Sequence, residues 1–402
     1  MAEQLVQPRD VVTVGRGVQP THVRQYNQRL ILGVISLRPG LSNAELSRAT
    51  ELAPQTVSAV LEELEEQHLV TRGEVLRGRR GQPATPLFMN PVGALAIGAE
   101  IGWRHLEVTL VGIGTQVLGR IRRDYDYPDA GSVFDELAAA VEQLLQPLPA
   151  AERERLVGLG LAVPNGFGQP GSLLPPPAGQ DALWRDLDIA DAVADATGLD
   201  VTMFNDGHAA CWAERVAHPN PRPANFVFLL IDTFMGGGVL AENRLWEGAT
   251  GKAAHLGATL IPDGDGRLHF ADEIASLFAL ERRLAERGLR LDDALVHAKA
   301  AAEPVVQSWI GEAAEALAQT LVNACTVTEF EVAIIESALP PEILRRLVEA
   351  TRQQMGKFPV LGQSLPLPII AGHLGRSGAA EGAALLLMYR RYFSRDFEHM
   401  DL

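Results

Sequence analysis

The sequence predicts three helices and a short β-hairpin followed by an α/β body built from two similar lobes. Helical apolar spacing recurs three times within the first 70 residues, and two short strand-like runs follow. From Val92 onward, strands alternate with helices, and a strand set of similar order occurs twice. The 402 residues allow two to four domains or lobes, at roughly 100–200 residues each. With 47% hydrophobic and 21% charged residues, the composition is that of a globular protein with a sizeable core.

The first helix is THVRQYNQRLILGVISLRPG, residues 21–40. Val23, Tyr26, Leu30, Ile31, Val34, Ile35 and Leu37 recur at helical spacing, and Pro39-Gly40 ends the run. In LSNAELSRAT, Ser42 and Glu45 form a capping box, and Leu46 and Ala49 are expected to face inward. After the turn ELA, Pro54 is a good first helical residue for PQTVSAVLEELEEQHL. Val57, Val60, Leu61 and Leu64 form its apolar stripe, so Gln55, Thr56, Ser58 and Ala59 stand near the exposed leading end. The acidic run EELEEQ, residues 62–67, is expected on the solvent side. LVTRGEVL and PATPLFMN are two short strands, and between them RGEVLRGRRGQPATP places Arg72, Arg77, Arg79 and Arg80 against a single Glu74.

Three helices and a hairpin make a winged helix-turn-helix, assigned to residues 1–88. A third helix with small polar residues at its N-terminus suits a major groove about 12 Å wide. Gln55, Thr56 and Ser58 are expected to face base edges. Arg77, Arg79 and Arg80 are expected to neutralise phosphates or enter a minor groove. Taken alone, the arginine loop would equally be a solvated linker; the three helices before it favour contact with double-stranded DNA. Charge agrees. Residues 1–88 hold ten Arg and nine acidic residues, whereas the remainder holds 25 basic and 41 acidic ones, so a formal net charge of −15 conceals a neutral-to-basic head. That net charge excludes a protein that binds nucleic acid over its whole surface.

Cys211 and Cys325 stand alone and form no CxxC pair. No apolar run approaches the roughly 20 residues of a membrane span, and the N-terminus lacks the apolar core of a signal peptide. A cytoplasmic protein with no membrane partner is expected.

The body is assigned to residues 89–402. ALAIGAEIGWRHLEVTLVGIGTQVLGRIRRDY reads as a β-meander, SVFDELAAAVEQLLQPL as an amphipathic helix and RLVGLGLAVPNG as a buried strand. DLDIADAVADATG and HAACWAERVAH are helices flanking the strand DVTMFNDG. NFVFLLIDTFMGGGVLAENRLWEG reads as two strands around three glycines. Helix is expected from about Ala271 to Thr326, with a break near Leu289–Arg290; EVAIIESAL and LPIIAGHL are strands, and GAAEGAALLLMYRRYF is a closing small-residue helix.

VRQYNQRLILGVI, LSNAELSRATELAPQTVSAVLEELEEQHLV, GRRGQPATPLFMNPVGALAIGAEIG, GLGLAVPNG, TGLDVTMFNDGHAACWAE and RLWEGATGKAAHLG together resemble the ROK family across nearly the whole chain. The resemblance implies an actin-like (ribonuclease H-like) two-lobed body. The N-terminal extension places it with the repressors of that family, not the sugar kinases. It implies that Asn205-Asp206 match the family's sugar-binding Asn and catalytic Asp, leaving Asp206 as a vestigial base. The family's Asp-x-Gly-x-Thr phosphate loop is here Glu100, Gly102 and Arg104, and its Gly-Thr-Gly loop carries Asp232 and Phe234 at the two glycines. Carboxylates repel phosphate oxygens and Phe blocks close backbone approach, so no enzyme activity is expected.

The family's zinc motif also departs. His255 replaces its glutamate, Ala258 its histidine, and PDGDGRLHFADEIAS, read as a polar turn, contains no Cys. No metal and no cofactor are expected, and Asp263, Asp265 and Asp272 make a poor calcium loop. For a small carbohydrate-type effector the resemblance points to Gln180, Asn205, Asp206, His255 and Asp272, with Glu273 as a register alternative and Asn165 near the cleft. Family assembly implies a homodimer or homotetramer and an inverted-repeat operator. The expected function is a carbohydrate-linked repressor. The rival readings are a sugar kinase fused to a DNA-binding module and a ligand-free dimeric scaffold.

Overall fold

The structure, a computed structural model, describes residues 20–74, 85–166, 174–185, 187–263, 265–358 and 367–393. The head consists of α1 (Pro20–Leu37), α2 (Asn43–Thr50), α3 (Pro54–Glu66) and an antiparallel pair, β1 (Val70–Arg72) and β2 (Leu87–Met89). Ser42 and Glu45 cap α2 reciprocally: the Ser42 amide donates to Glu45 Oε2 at 2.9 Å, and the Glu45 amide donates to Ser42 Oγ at 3.4 Å. The expected stripe of α3, Val57, Val60, Leu61 and Leu64, is buried against Ile31, Ile35, Leu46 and Leu87.

Two expectations are corrected here. Val23 and Tyr26 are exposed, because just the second half of α1, from Leu30, reaches the core; Ala49 of α2, half-buried, packs against that core as expected. The acidic run also does more than face solvent. Glu63 accepts hydrogen bonds from the Arg24 guanidinium and the Gln28 amide of α1, and Glu65 pairs with Arg72 of β1 at 2.6 Å. These pairs sit at the surface, so each contributes at most about 1 kcal/mol. They set how α1 and the hairpin lean on α3. Arg77, Arg79 and Arg80 lie outside the described residues.

The body contains two five-stranded sheets of the same design. The first orders β5 (Val117–Asp124), β4 (His105–Gly112), β3 (Leu95–Ile101), β6 (Leu156–Val163) and β7 (Val201–Asn205). Its first three strands are antiparallel, and β6 and β7 are parallel to β3. Helices α4 (Val133–Leu145), α5 (Ala150–Arg153), α6 (Gln180–Arg185), α7 (Ile189–Thr197) and α8 (Asp206–Ala217) belong to this half. The second sheet orders β10 (Arg244–Leu245), β9 (Met235–Ala241), β8 (Phe226–Ile231), β13 (Val332–Ser337) and β14 (Ile369–Ala371), again with three antiparallel strands and then two parallel ones. A hairpin, β11 (Leu260–Pro262) and β12 (Leu268–Phe270), precedes α9 (Ala271–Ala275), α10 (Leu277–Ala285), α11 (Leu291–Leu295) and α12 (Glu303–Cys325). Helices α13 (Pro341–Met355) and α14 (Gly378–Tyr392) complete the described chain.

The break near Leu289–Arg290 falls between α10 and α11, as expected. The hairpin was not: Asp263 Oδ1 accepts from the amides of Asp265 and Arg267, turning the presumed polar loop back on itself. Helix α13 was passed over, although Ile343, Leu347 and Thr351 bury one face at i, i+4, i+8.

Both sheets are covered on both faces, which explains their unbroken apolar runs. In β8, Phe226, Phe228 and Leu230 enter the inter-lobe core, while Val227, Leu229 and Ile231 face α12 and α13. On β3 and β6 the inner-face residues are small: Ala96, Gly98, Gly160 and Ala162. This lets α14 press its backbone onto the sheet. A Cβ at Gly98 would lie 1.9 Å from the Ala380 carbonyl oxygen, and one at Gly160 would lie 2.2 Å from that of Ala383. On its other side, Gly382 of α14 meets α8, where a Cβ would fall 1.8 Å from the Ala209 carbonyl oxygen. The small-residue run GAAEGAA is therefore what allows α8, α14 and the sheet to close together.

Candidate functional site

The turns at the ends of β3, β6, β7 and β8 open toward one another, and the start of α9 completes a cavity of about 430 Å³. Such a volume suits a small ligand. Asn205 and Asp206 stand where β7 becomes α8. Asn205 caps the helix by accepting from the His208 amide at 3.2 Å, and its own Nδ2 donates to Asp206 Oδ1 at 2.9 Å. The Gly207 amide donates to the same oxygen at 2.8 Å. Gly207 permits this junction: a Cβ there would lie 2.4 Å from the Gly237 backbone nitrogen.

Burial, reinforced by the nearby charges of Glu100 and Asp232, pushes the Asp206 carboxyl up to about 7. Asp272, on the first turn of α9, accepts from the Met235 amide at 2.6 Å. Its carboxyl is also pushed up to about 7, by burial and then by Glu273 and Asp206. Buried Glu100 lies 3.1 Å from His105 Nε2. Burial works against a charged His105 ring, but Glu100 and Asp232 outweigh it and hold its pKa above the ordinary histidine value. Donor atoms of Glu100, His105 and Asp232 lie within 4.8 Å of one another, the one such group among the described residues. The apolar wall comes from Trp103, Phe234 and Phe270. Phe234 sits edge-on to Trp103 at 5.2 Å and to Phe278 at 5.6 Å. Arg104 turns away to Glu281 of α10, 3.0 Å across the lobes.

The structure brings Asn205, Asp206, His255 and Asp272 into one cavity, with Asn165 and Glu273 beside them. Gln180 is not there, which corrects its assignment. Its Oε1 accepts from the Ala130 amide and its Nε2 donates to Asp129 Oδ1, both at 2.9 Å, so its amide is spent bracing the 129–131 turn. Trp103, Thr233, Met235 and Phe270 were not anticipated. Each adjoins a motif residue, and that adjacency was the one signal available.

The family's zinc motif does not fit a metal here. His255 precedes a 3₁₀ turn and Ala258 is its last residue, and the segment that would supply thiolates is the β11–β12 hairpin. Its His269 is engaged with Asp263 at 3.1 Å. Cys211 is buried on α8 and Cys325 is at the end of α12.

On the head, Gln55 is exposed and Thr56 and Ser58 are half-buried at the leading end of α3. Ser58 Oγ accepts from Asn43 Nδ2 at 3.4 Å, tying α2 to α3. No described helix is long and apolar enough to cross a membrane.

A winged helix on a two-lobed α/β body with a ligand-sized cleft defines the class of a DNA-binding transcription regulator with a kinase-like body. Residues 96–390 match the ROK family and residues 18–81 the MarR family. The chain belongs to the ROK family and carries a MarR-type winged helix at its N-terminal end. It is 26% identical over 246 residues to a xylose repressor of Bacillus subtilis, covering 60% of this chain and 62% of the repressor. It is 27% identical over 301 residues to an N-acetylmannosamine kinase of Citrobacter koseri, covering 72% of this chain and 97% of the kinase. Among solved structures, a ROK family transcriptional regulator homologous to the Escherichia coli MLC protein superposes with a TM-score of 0.69 at 22% identity, over 92% of this chain and 97% of that one.

Proposed function

We propose that this chain is a transcriptional repressor whose head, residues 1–88, reads an inverted-repeat operator as part of a homodimer or homotetramer, and whose body, residues 89–402, senses a small carbohydrate-type effector without phosphorylating it. The observation that carries the reading is the free leading end of α3: Gln55 and Ala59 are exposed, not packed on the body. Gln55, Thr56 and Ser58 would meet base edges, and Arg77, Arg79 and Arg80 the flanking phosphates or minor groove. Effector binding between the lobes would change their closure and so the spacing of two heads. The relatives named as repressors support the same reading.

Loss of phosphotransfer rests on the acidic residues at the former phosphate loops. Glu100 and Asp232 would face phosphate oxygens, and Phe234 would obstruct them. Retention of Asp206, with its pKa near neutrality, favours a second reading in which the body is still a sugar kinase. Two measurements separate them. Genome-wide mapping of bound DNA, followed by binding to the recovered sites, is expected to give specific complexes that Gln55→Ala weakens. Incubation with ATP and a sugar panel is expected to give no sugar phosphate; turnover abolished by Asp206→Asn would establish the kinase instead.

A further inference from the structure

Two buried atoms beside the cleft have no ordinary partner. Glu100 Oε2 and His105 Nε2 make no hydrogen bond among the described residues, and their side chains belong to residues only 4% and 2% exposed. Leaving such groups unanswered is costly, and an ion is one of the few things that answers them. The other buried glutamates are provided for. Glu214 accepts from the His373 amide, Glu336 accepts from the amides of Ser337 and Leu374, and Glu107 faces the guanidinium groups of Arg120 and Arg122. Glu100 faces an imidazole and, across the cleft, the carboxylate of Asp232.

The geometry suits one ion among the three. Glu100 Oε2 and His105 Nε2 are 3.1 Å apart without the alignment of a hydrogen bond. Two ligands at right angles around an ion, each about 2.1 Å from it, are separated by about 3.0 Å, and ligands on opposite sides by about 4.2 Å. The Asp232 oxygen lies within 4.8 Å of the other two donors, so a slight closure of the lobes brings it into reach. The turn that carries His105 is firmly held. The Gly102 amide donates to the His105 carbonyl at 2.8 Å, and the Tyr125 hydroxyl hydrogen-bonds to the carbonyls of Gly102 and His105 at 2.7 and 2.6 Å. Gly102 also leaves room for the ring, since a Cβ there would lie 2.7 Å from His105 Cε1.

We propose that Glu100, His105 and Asp232 form a binding site for a divalent transition-metal ion of the Mn²⁺ or Zn²⁺ kind. The imidazole nitrogen selects against Mg²⁺ and Ca²⁺, which take oxygen ligands. Glu100 and His105 belong to the first sheet and Asp232 follows β8 of the second, so the ion ties one lobe to the other. The site lies apart from the family's zinc motif and departs from the sequence-based expectation of no metal. It stands whether or not the effector is a carbohydrate.

The test is calorimetric titration of the full-length protein, stripped with chelator and dialysed, with Mn²⁺, Zn²⁺, Mg²⁺ and Ca²⁺ in turn. One equivalent of Mn²⁺ or Zn²⁺ is expected to bind at least about tenfold more tightly than Mg²⁺ or Ca²⁺. His105→Gln and, separately, Asp232→Asn are each expected to weaken that binding by about tenfold or more. Asp232 is outside the packed turn, so its variant carries the test should His105→Gln fail to fold. The spin-echo signal of bound Mn²⁺ is expected to show modulation from an imidazole nitrogen that His105→Gln removes. His269→Ala, on the surface hairpin, is expected to change nothing. Absence of binding overturns the site and leaves Glu100 and His105 as an ion pair alone. Binding that survives both cleft variants, or that His269→Ala removes, places the ion elsewhere and overturns it equally. Mg²⁺ or Ca²⁺ binding as tightly as Mn²⁺ and Zn²⁺ overturns the transition-metal class.

Discussion

Replacing Asp206 with Asn should change how the stability of the protein depends on pH. The folded protein holds the Asp206 proton up to about 7 because the carboxyl is buried and faces Glu100 and Asp232, against an ordinary value of 3.8. The unfolded chain releases that proton near 3.8. Between these values the native state binds more protons than the unfolded state, so stability falls as pH rises and levels off above about 7. At about 1.4 kcal/mol per pH decade, the whole window costs on the order of 4 kcal/mol, and the part between pH 5 and pH 8 costs about 2–3 kcal/mol. Asn is nearly isosteric, and its oxygen still accepts from Asn205 and Gly207. Urea denaturation of the wild type followed by tryptophan fluorescence should show a loss from pH 5 to pH 8 that Asp206→Asn reduces by about 2–3 kcal/mol. Asp272 moves the result the same way, since Asp206 is one of the groups that raises its pKa. Parallel pH profiles for the two proteins would refute the account of cavity electrostatics.

Three further outcomes are expected. Gly382→Ala should lower stability by about 3 kcal/mol or more, read as a fall in thermal midpoint, because its Cβ would sit 1.8 Å from a backbone oxygen that cannot move aside; Gly311→Ala on α12, where nothing lies within 4 Å, should instead be neutral or stabilise by up to about 1 kcal/mol. Replacing Arg79 and Arg80 together with Ala should weaken operator binding and reduce the slope of log affinity against log salt by up to about 2, measured by fluorescence anisotropy; an unchanged slope removes these arginines from the phosphate contacts. Glu63→Gln should cost no more than about 1 kcal/mol in denaturation, since its partners Arg24 and Gln28 are held at the surface.

How much could be read beforehand differs between the parts. The head was legible because its information is local. Ser42 and Glu45 are three residues apart, and the α3 stripe is a helical repeat that reads the same in isolation and in the fold. Tertiary packing was less legible, and the errors show why. Val23 and Tyr26 continue the apolar spacing of α1, but periodicity cannot say where the neighbouring core ends. The doubled strand order was visible as a near-repeat, whereas the pressing of α14 onto Gly98 and Gly160 needed coordinates. Gln180 stands at a plausible spacing from Trp184, yet the side chain goes to the 129–131 turn.

By itself the sequence determined the elements: three amphipathic helices, the second with a capping box, and a hairpin, then strands and helices in a repeated order, with the carboxylates and glycines named. Only the tertiary structure decided the site. Glu100, Asp206, Asp232 and Asp272 come from β3, α8, the β8–β9 turn and α9, and they share one cavity because two sheets and the α8–α14 pair align the ends of those elements. Element type follows from interactions within a few residues along the chain. The charge of a cleft follows from which distant segments are packed within a few ångströms of each other, and no local pattern encodes that distance.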